Sequence, residues 1–283
     1  MAKIGFYTCF ALAAFAFNSL LCRLALKTDE IDAVSFTMIR LVSGAATLIA
    51  INWFFGRKES LKSGNWPSTI FLFVYAICFS FAYVSLTTGT GALILFGSVQ
   101  LAMIAIALFR GERPGILEWI GLAVALAGLI YLVSPGLTSP PLFSSSLMAM
   151  AGISWGFYTI RGKGSSAPLA DTTGNFVRSV PLIILTSLPF LLEIHLSTRG
   201  IFLAILSGAI ASGIGYTVWY AVLKYHTATR AAVLQLTVPV LAAASGVIFL
   251  SETLTARILM AAALTLGGIA LTIFGRNPTF TKI

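Results

Sequence analysis

From Gly91 to Tyr131 the sequence runs GALILFGSVQLAMIAIALFRGERPGILEWIGLAVALAGLIY, two apolar stretches of helical length on either side of a short charged turn. A bilayer core demands about 20 apolar residues of a helix, and a helix is favoured there because every backbone N–H and C=O must be paired internally. Spans of that kind can be laid out ten times, at roughly 4–26, 31–55, 67–87, 90–109, 115–134, 145–162, 172–192, 200–223, 228–250 and 256–274. The breaks carry ordinary stop signals, among them Asn65-Trp66-Pro67 and Ser134-Pro135-Gly136. Too little chain is left over for a soluble domain. Charged residues make up 10%, against about 25% in a soluble domain. The fold class predicted is an all-α membrane protein.

The pair of apolar stretches recurs. Glu112 lies in the first turn and Gly128 in the helix after it; Glu252 and Gly268 stand in the same places later, at one offset (252 − 112 = 140, 268 − 128 = 140). The same offset pairs Phe15 with Trp155, Phe17 with Phe157, Asn18 with Tyr158 and Arg23 with Lys163. One gap-free offset from residue 15 to 271 points to an internal duplication. Residues 1–134 form the first five-helix repeat, 135–144 an uncharged linker, 145–275 the second repeat and 276–283 a tail. Five spans is an odd number, so the second repeat enters the membrane upside down. Ten transmembrane helices in two inverted five-helix repeats are a recurring plan of secondary transporters, which open a midplane site to either side in turn.

Lys and Arg fix the orientation. With the N-terminus inside, Lys3, Arg57, Lys58, Lys62, Arg110, Arg113, Arg161, Lys163, Lys224, Arg230, Arg276 and Lys282 are cytoplasmic; only Arg23, Lys27, Arg199 and Arg257 are outside. Both termini are therefore expected in the cytoplasm. The net charge of +9 follows from this bias and implies no nucleic-acid partner. Cys9, Cys22 and Cys78 fall in apolar helices and read as packing residues. The first apolar run is long and lacks a cleavage site, which argues against a signal peptide.

Two cations remain inside the membrane, Arg40 in helix 2 and Arg178 in helix 7. An intramembrane arginine costs at least about 2.5–3.5 kcal/mol on insertion scales, so it faces a partner or a cavity. One reading is attraction of a substrate carboxylate, with Arg40 the better placed; the other is snorkelling to the interface or to loop carbonyls. Asn18, Gln100, Asn175 and Gln235 are candidate substrate contacts or helix-to-helix hydrogen bonds. Aromatic residues Phe15, Tyr75, Tyr83, Trp155, Tyr158, Tyr216, Trp219 and Tyr220 extend the candidate lining, against a plain packing role. Pro239 and Gly215 are candidate hinges. Glu112 and Glu252 read as caps of the helices that follow them. With no carboxylate in mid-span, facilitated diffusion or exchange is expected over proton coupling.

The parts of an enzyme are missing: no HExxH, no P-loop, no nucleophile with a base, and only His195 and His226. No enzymatic activity, cofactor or metal is expected. The sequence as a whole, with F109-R-G-E-R113, Gly128, Pro239 through F249-L-S-E-T253, Gly267, Gly268 and Trp155, resembles the EamA-type members of the drug/metabolite transporter superfamily. It departs from their usual pattern at Phe15 and Val99, where Trp and Pro are frequent. The resemblance implies a central cavity formed by helices 1–4 and 6–9, with helices 5 and 10 peripheral, in a bacterial inner membrane. The function expected is transport of a small metabolite, foremost an amino acid, by export or exchange. Uptake of a vitamin or nucleotide-like cofactor is the alternative, and a lipid scramblase or membrane partner protein the non-carrier one. The partners expected are a small-molecule substrate and the lipid bilayer, with pairing into a homodimer left open.

Overall fold

Local signals at the helix ends set the architecture. In the computed structural model, which describes residues 2–55, 63–109, 115–134, 136, 139–162, 165–226 and 234–275, Asp32 accepts the Ser35 N–H and starts α2 (Ala33–Phe54) after α1 (Ala2–Lys27). Asn65 accepts from Ser68 and starts α3 (Trp66–Tyr83), with Pro67 in the first turn, where its missing N–H leaves no bond unmade. Next come α4 (Thr88–Phe109), α5 (Ile116–Val133), α6 (Leu142–Gly162) and α7 (Pro168–Ser187), the last running on as a 3-10 segment, Leu188–Glu193. Ser197 caps α8 (Thr198–Leu223), whose middle, Ser207–Ile214, is a π-helix. Then follow α9 (Thr237–Leu250) and α10 (Ala256–Phe274), capped by Thr255.

Eight described helices are long and apolar enough to cross a membrane, so the chain is a multi-pass membrane protein. The exceptions are α6, which carries Ser144, Ser145, Ser146 and Ser154, and α9, which has 14 described residues. Residues 227–233 before α9 lie outside the described residues, as do Glu112 with its turn, Lys163 and the tail 276–283. Helix 3 ends four residues short of the predicted 87, and α7 starts four before the predicted 172, at Pro168. Helical turns break at Leu236, where Pro239 has no N–H to give the Gln235 carbonyl.

α6 packs against α3 and α4, and α1 against α8 and α9. α2 lies on α7 and α8, α4 touches α9, and α5 pairs with α10 at the edge. In that pair a Cβ on Gly128 would stand 2.7 Å from the Thr265 nitrogen, and one on Gly268 2.5 Å from the Ala125 nitrogen. Backbones meet there with nothing larger than hydrogen between them, as in small-residue packing of membrane helices.

Polar bonds sort the helix ends into two groups. At one end Arg23 pairs with Glu252 and donates to the Tyr83 and Val84 carbonyls, while Lys27 donates to Leu250. At the same end Asp32 accepts from the His195 N–H, and Arg257 donates to the Ser134 carbonyl. At the other end Arg161 binds Asn65 and Ser68, Asp171 accepts from Ser63 and Gly64, and Thr8 meets His226. Glu252 does not cap the helix that follows it, as the sequence suggested. Its carboxylate accepts the Thr88 N–H at 2.8 Å and caps α4, because Ser251, in the left-handed region at φ 52°, turns the chain back across the bundle. Cys22 and Cys78 are buried, but Cys9 is exposed on the outside of α1 rather than packed.

Candidate functional site

Arg40 sits two turns into α2, is 1% exposed, and is among the largest fully buried side chains. Its Nε donates to Ser212 Oγ at 3.0 Å, and its Nη2 donates to the hydroxyls of Tyr75 at 3.1 Å and Tyr216 at 2.8 Å. The guanidinium also lies over the rings of Phe79 and Tyr75, 4.8 and 5.2 Å from their centroids, so the π faces carry part of the charge. Among the described residues no carboxylate lies within ion-pair distance of it. Nη1 is buried with no partner.

The cluster has more donors than acceptors. Tyr75 Oη receives Arg40, the Tyr216 hydroxyl at 3.0 Å and Asn18 Nδ2 at 3.3 Å, three donors for two lone pairs. Asn18 is held in that orientation by Ser207, which donates to Oδ1 at 2.6 Å. Both serines come from the π segment of α8. An anion supplies what this arrangement lacks, since a carboxylate brings two oxygens and a charge that matches the guanidinium fork.

Aromatic rings wall the space in front of the cluster. Trp155 is 4.5 Å from Tyr216 and 4.9 Å from Tyr75, centroid to centroid, and Phe15 stands 5.8 Å from Trp155. Phe96 and Leu95 of α4 close it from the other side. The free space has room for about one water. Arg40 does not border it; Tyr75 and Tyr216 do, and stand between.

Of the residues singled out in the sequence, the structure brings Asn18, Arg40 and Trp155 to this place, with Trp219 behind Phe15 at 5.7 Å. Tyr158 is one ring further along, 5.5 Å from Trp155 and 5.8 Å from Tyr220, bordering a second, polar recess with Arg161 and Asp171. Asn175 and Arg178 are turned to the α2–α3 loop, where Asn175 accepts the Asn65 N–H and Arg178 donates to the Ser63 carbonyl. Tyr83 is buried beside the Arg23–Glu252 pair and donates to the Thr88 carbonyl. Gln100 and Gln235 are buried away from the central space, each with an amide atom unpartnered. A Cβ on Gly215 would meet Ala14 of α1 at 2.9 Å, so close helix packing occupies that glycine. Ser207 and Ser212 escaped sequence reading; the signal was there as small residues repeating through SGAIASG, which marks a close helix contact but gives no direction for the hydroxyls.

Comparison with known proteins agrees with this architecture. A Pseudomonas aeruginosa protein of uncharacterized function is 48% identical over 93% of this chain and 92% of its own length. A probable amino-acid metabolite efflux pump of Salmonella typhimurium is 26% identical over 71% of this chain and 72% of its own. The threonine/homoserine exporter of Escherichia coli is 31% identical over 63% of this chain and 60% of its own. One protein of known crystal structure superposes with a TM-score of 0.66 over 96% of this chain and 97% of that one, at 17% identity, which shows a shared fold. The model of the EamA-like transporter family matches twice, over residues 3–134 and 142–274, and the chain belongs to that family.

Proposed function

We propose that this transporter moves a small carboxylate-bearing metabolite, foremost an amino acid, by alternating access in export or exchange. It does so as ten spans in two inverted five-helix repeats, multi-pass in the inner (plasma) membrane with both termini cytoplasmic. The observation that carries the substrate class is the buried Arg40 guanidinium, with no acidic partner among the described residues and an unfilled Nη1. Leaving a charge unpaired in a low-dielectric interior is costly, and a substrate anion removes that cost on binding. The printed functions of the Salmonella and Escherichia coli relatives, an amino-acid metabolite pump and a threonine/homoserine exporter, support the same class.

The pairing of the two repeats draws support from the packing, and their inversion from the helix ends, since Arg23 near the end of α1 lies at the Tyr83 end of α3 and Arg161 near the end of α6 at the Asn65 end of α3. Interchanging α1–α5 with α6–α10 maps α3·α6 onto α8·α1, α4·α6 onto α9·α1, and α2·α7 onto itself, and every one of these neighbours is present. Likewise Gly128 against Thr265 becomes Gly268 against Ala125. The family and its named relatives are transporters, which supports reading the protein as a carrier and not an enzyme.

The test is counterflow in proteoliposomes with labelled L-threonine and a panel of other amino acids. Arg40→Gln at equal protein level should reduce carboxylate counterflow at least tenfold and leave membrane insertion intact. Unchanged counterflow removes Arg40 from the site. Cysteine accessibility of the two turns bearing Glu112 and Glu252 should place them on opposite sides of the membrane; a common side removes the inversion.

A further inference from the structure

We infer that the Tyr216 hydroxyl is a placeholder on Arg40 for the substrate's carboxylate, and that substrate displaces it through a register shift in the π segment of α8. This rests on the reading of Arg40 as the carboxylate site. Three observations carry it. First, Arg40 is screened from the central space by two phenols that border that space and share its Nη2. A carboxylate entering from the aromatic side reaches the guanidinium only when one of them leaves.

Second, the two phenols are held differently. Tyr75 is on an unbroken helix, its ring lies against the guanidinium, and its oxygen is the acceptor for Asn18 and Tyr216 as well as Arg40. Among the described residues the Tyr216 hydroxyl bonds only Arg40 and Tyr75, at 2.8 and 3.0 Å, and the ring is otherwise held by packing against Trp155, Phe15 and Phe176. Once it moves, Nη2 regains a free N–H on the same guanidinium as the already unpartnered Nη1, which gives a carboxylate two donors to bond.

Third, Tyr216 lies two residues past Ser207–Ile214, where the Gly215 N–H reaches back five residues to the Ile210 carbonyl. A π segment holds one more residue than an α-helix of the same height, so it can relax by passing that residue along. Each residue passed turns the following side chains by about 100°. That turn carries Tyr216 off Arg40, and Ser212, the Nε partner, lies within the same segment. The carboxylate replaces the bond released at Nη2 and adds one at the unpartnered Nη1, which offsets the loss of Ser212 at Nε.

The experiment titrates L-threonine, L-phenylalanine and acetate, and their carboxamides, against the tryptophan fluorescence of the full chain in nanodiscs, since Trp155 borders the space. Tyr216→Phe keeps the ring and deletes the competitor, and should tighten carboxylate binding about fivefold with no gain for the carboxamides. Tyr75→Phe should weaken it. Amide exchange over 207–216 should change when carboxylate is added to the wild type. Weaker or unchanged binding in Tyr216→Phe, or exchange that does not respond, overturns the placeholder while Arg40→Gln still abolishes binding. Carboxylate binding that survives Arg40→Gln, or no carboxylate binding by any variant, overturns the Arg40 reading and the placeholder with it.

Discussion

Arg23 and Glu252, 229 residues apart, meet at 3.4 Å with side chains 11% and 6% exposed, and join α1 to the α9–α10 turn. Glu252 spends its second oxygen on the Thr88 N–H, so one carboxylate both neutralises a cation and caps α4. Removing one partner of a buried pair leaves an uncompensated charge, and Glu252→Ala should cost about 3 kcal/mol. Glu252→Gln keeps an oxygen for Thr88 and should lose about half as much. Thermal unfolding in detergent measures both, and equal losses in the two variants would mean that the bond to Thr88 contributes nothing beyond the charge.

The seam between α5 and α10 makes a sharper contrast, because neighbouring glycines have opposite surroundings. A methyl on Gly268 meets the Ala125 nitrogen at 2.5 Å and the Gly121 carbonyl at 2.6 Å, whereas one on Gly267 meets nothing within 4 Å. Gly268→Ala should destabilise by about 1–3 kcal/mol through overpacking. Gly267→Ala should be neutral or gain up to about 1 kcal/mol of helix propensity. Both are read from the same unfolding curves.

The two intramembrane arginines should separate by function. Arg40→Lys keeps the charge but loses the fork that serves Ser212, Tyr75 and Tyr216 together, and should lower counterflow about tenfold. Arg178→Gln removes a bond to the Ser63 carbonyl and should lower stability by about 1 kcal/mol with the substrate's half-saturation unchanged. An altered half-saturation in Arg178→Gln would return that residue to the site.

Thiol accessibility offers an internal gauge of folding. Cys9 is exposed and should react with a membrane-permeant maleimide in the native protein, while Cys22, fully buried, should react only as the bundle opens. Equal rates for the two would contradict the packing of α1.

Helix placement was legible because spans of lipid-crossing length with Gly and Pro at their breaks have few other readings, and the boundaries of α5 and α10 fall within two residues of the sequence estimate. The π segment was not legible, since Ser207–Ile214 has the composition of any small-residue helix and its extra residue depends on what α2 and α1 present to it. At the site, charge rarity picked out both Arg40 and Arg178, but which of them faces the centre is decided by side-chain direction. Periodicity in a helix buried on several sides does not encode that direction. Glu252 was misread for a related reason: a cap was sought along the sequence, and the free N–H it found belongs to a helix 164 residues away.

The narrowness of the space before Arg40 has an electrical consequence. A fixed positive centre buried behind Tyr75 and Tyr216, beside a space with room for about one water, disfavours hydronium and alkali ions there, as an arginine does in a water channel. A carrier held in this conformation is then expected to leak few protons or alkali ions.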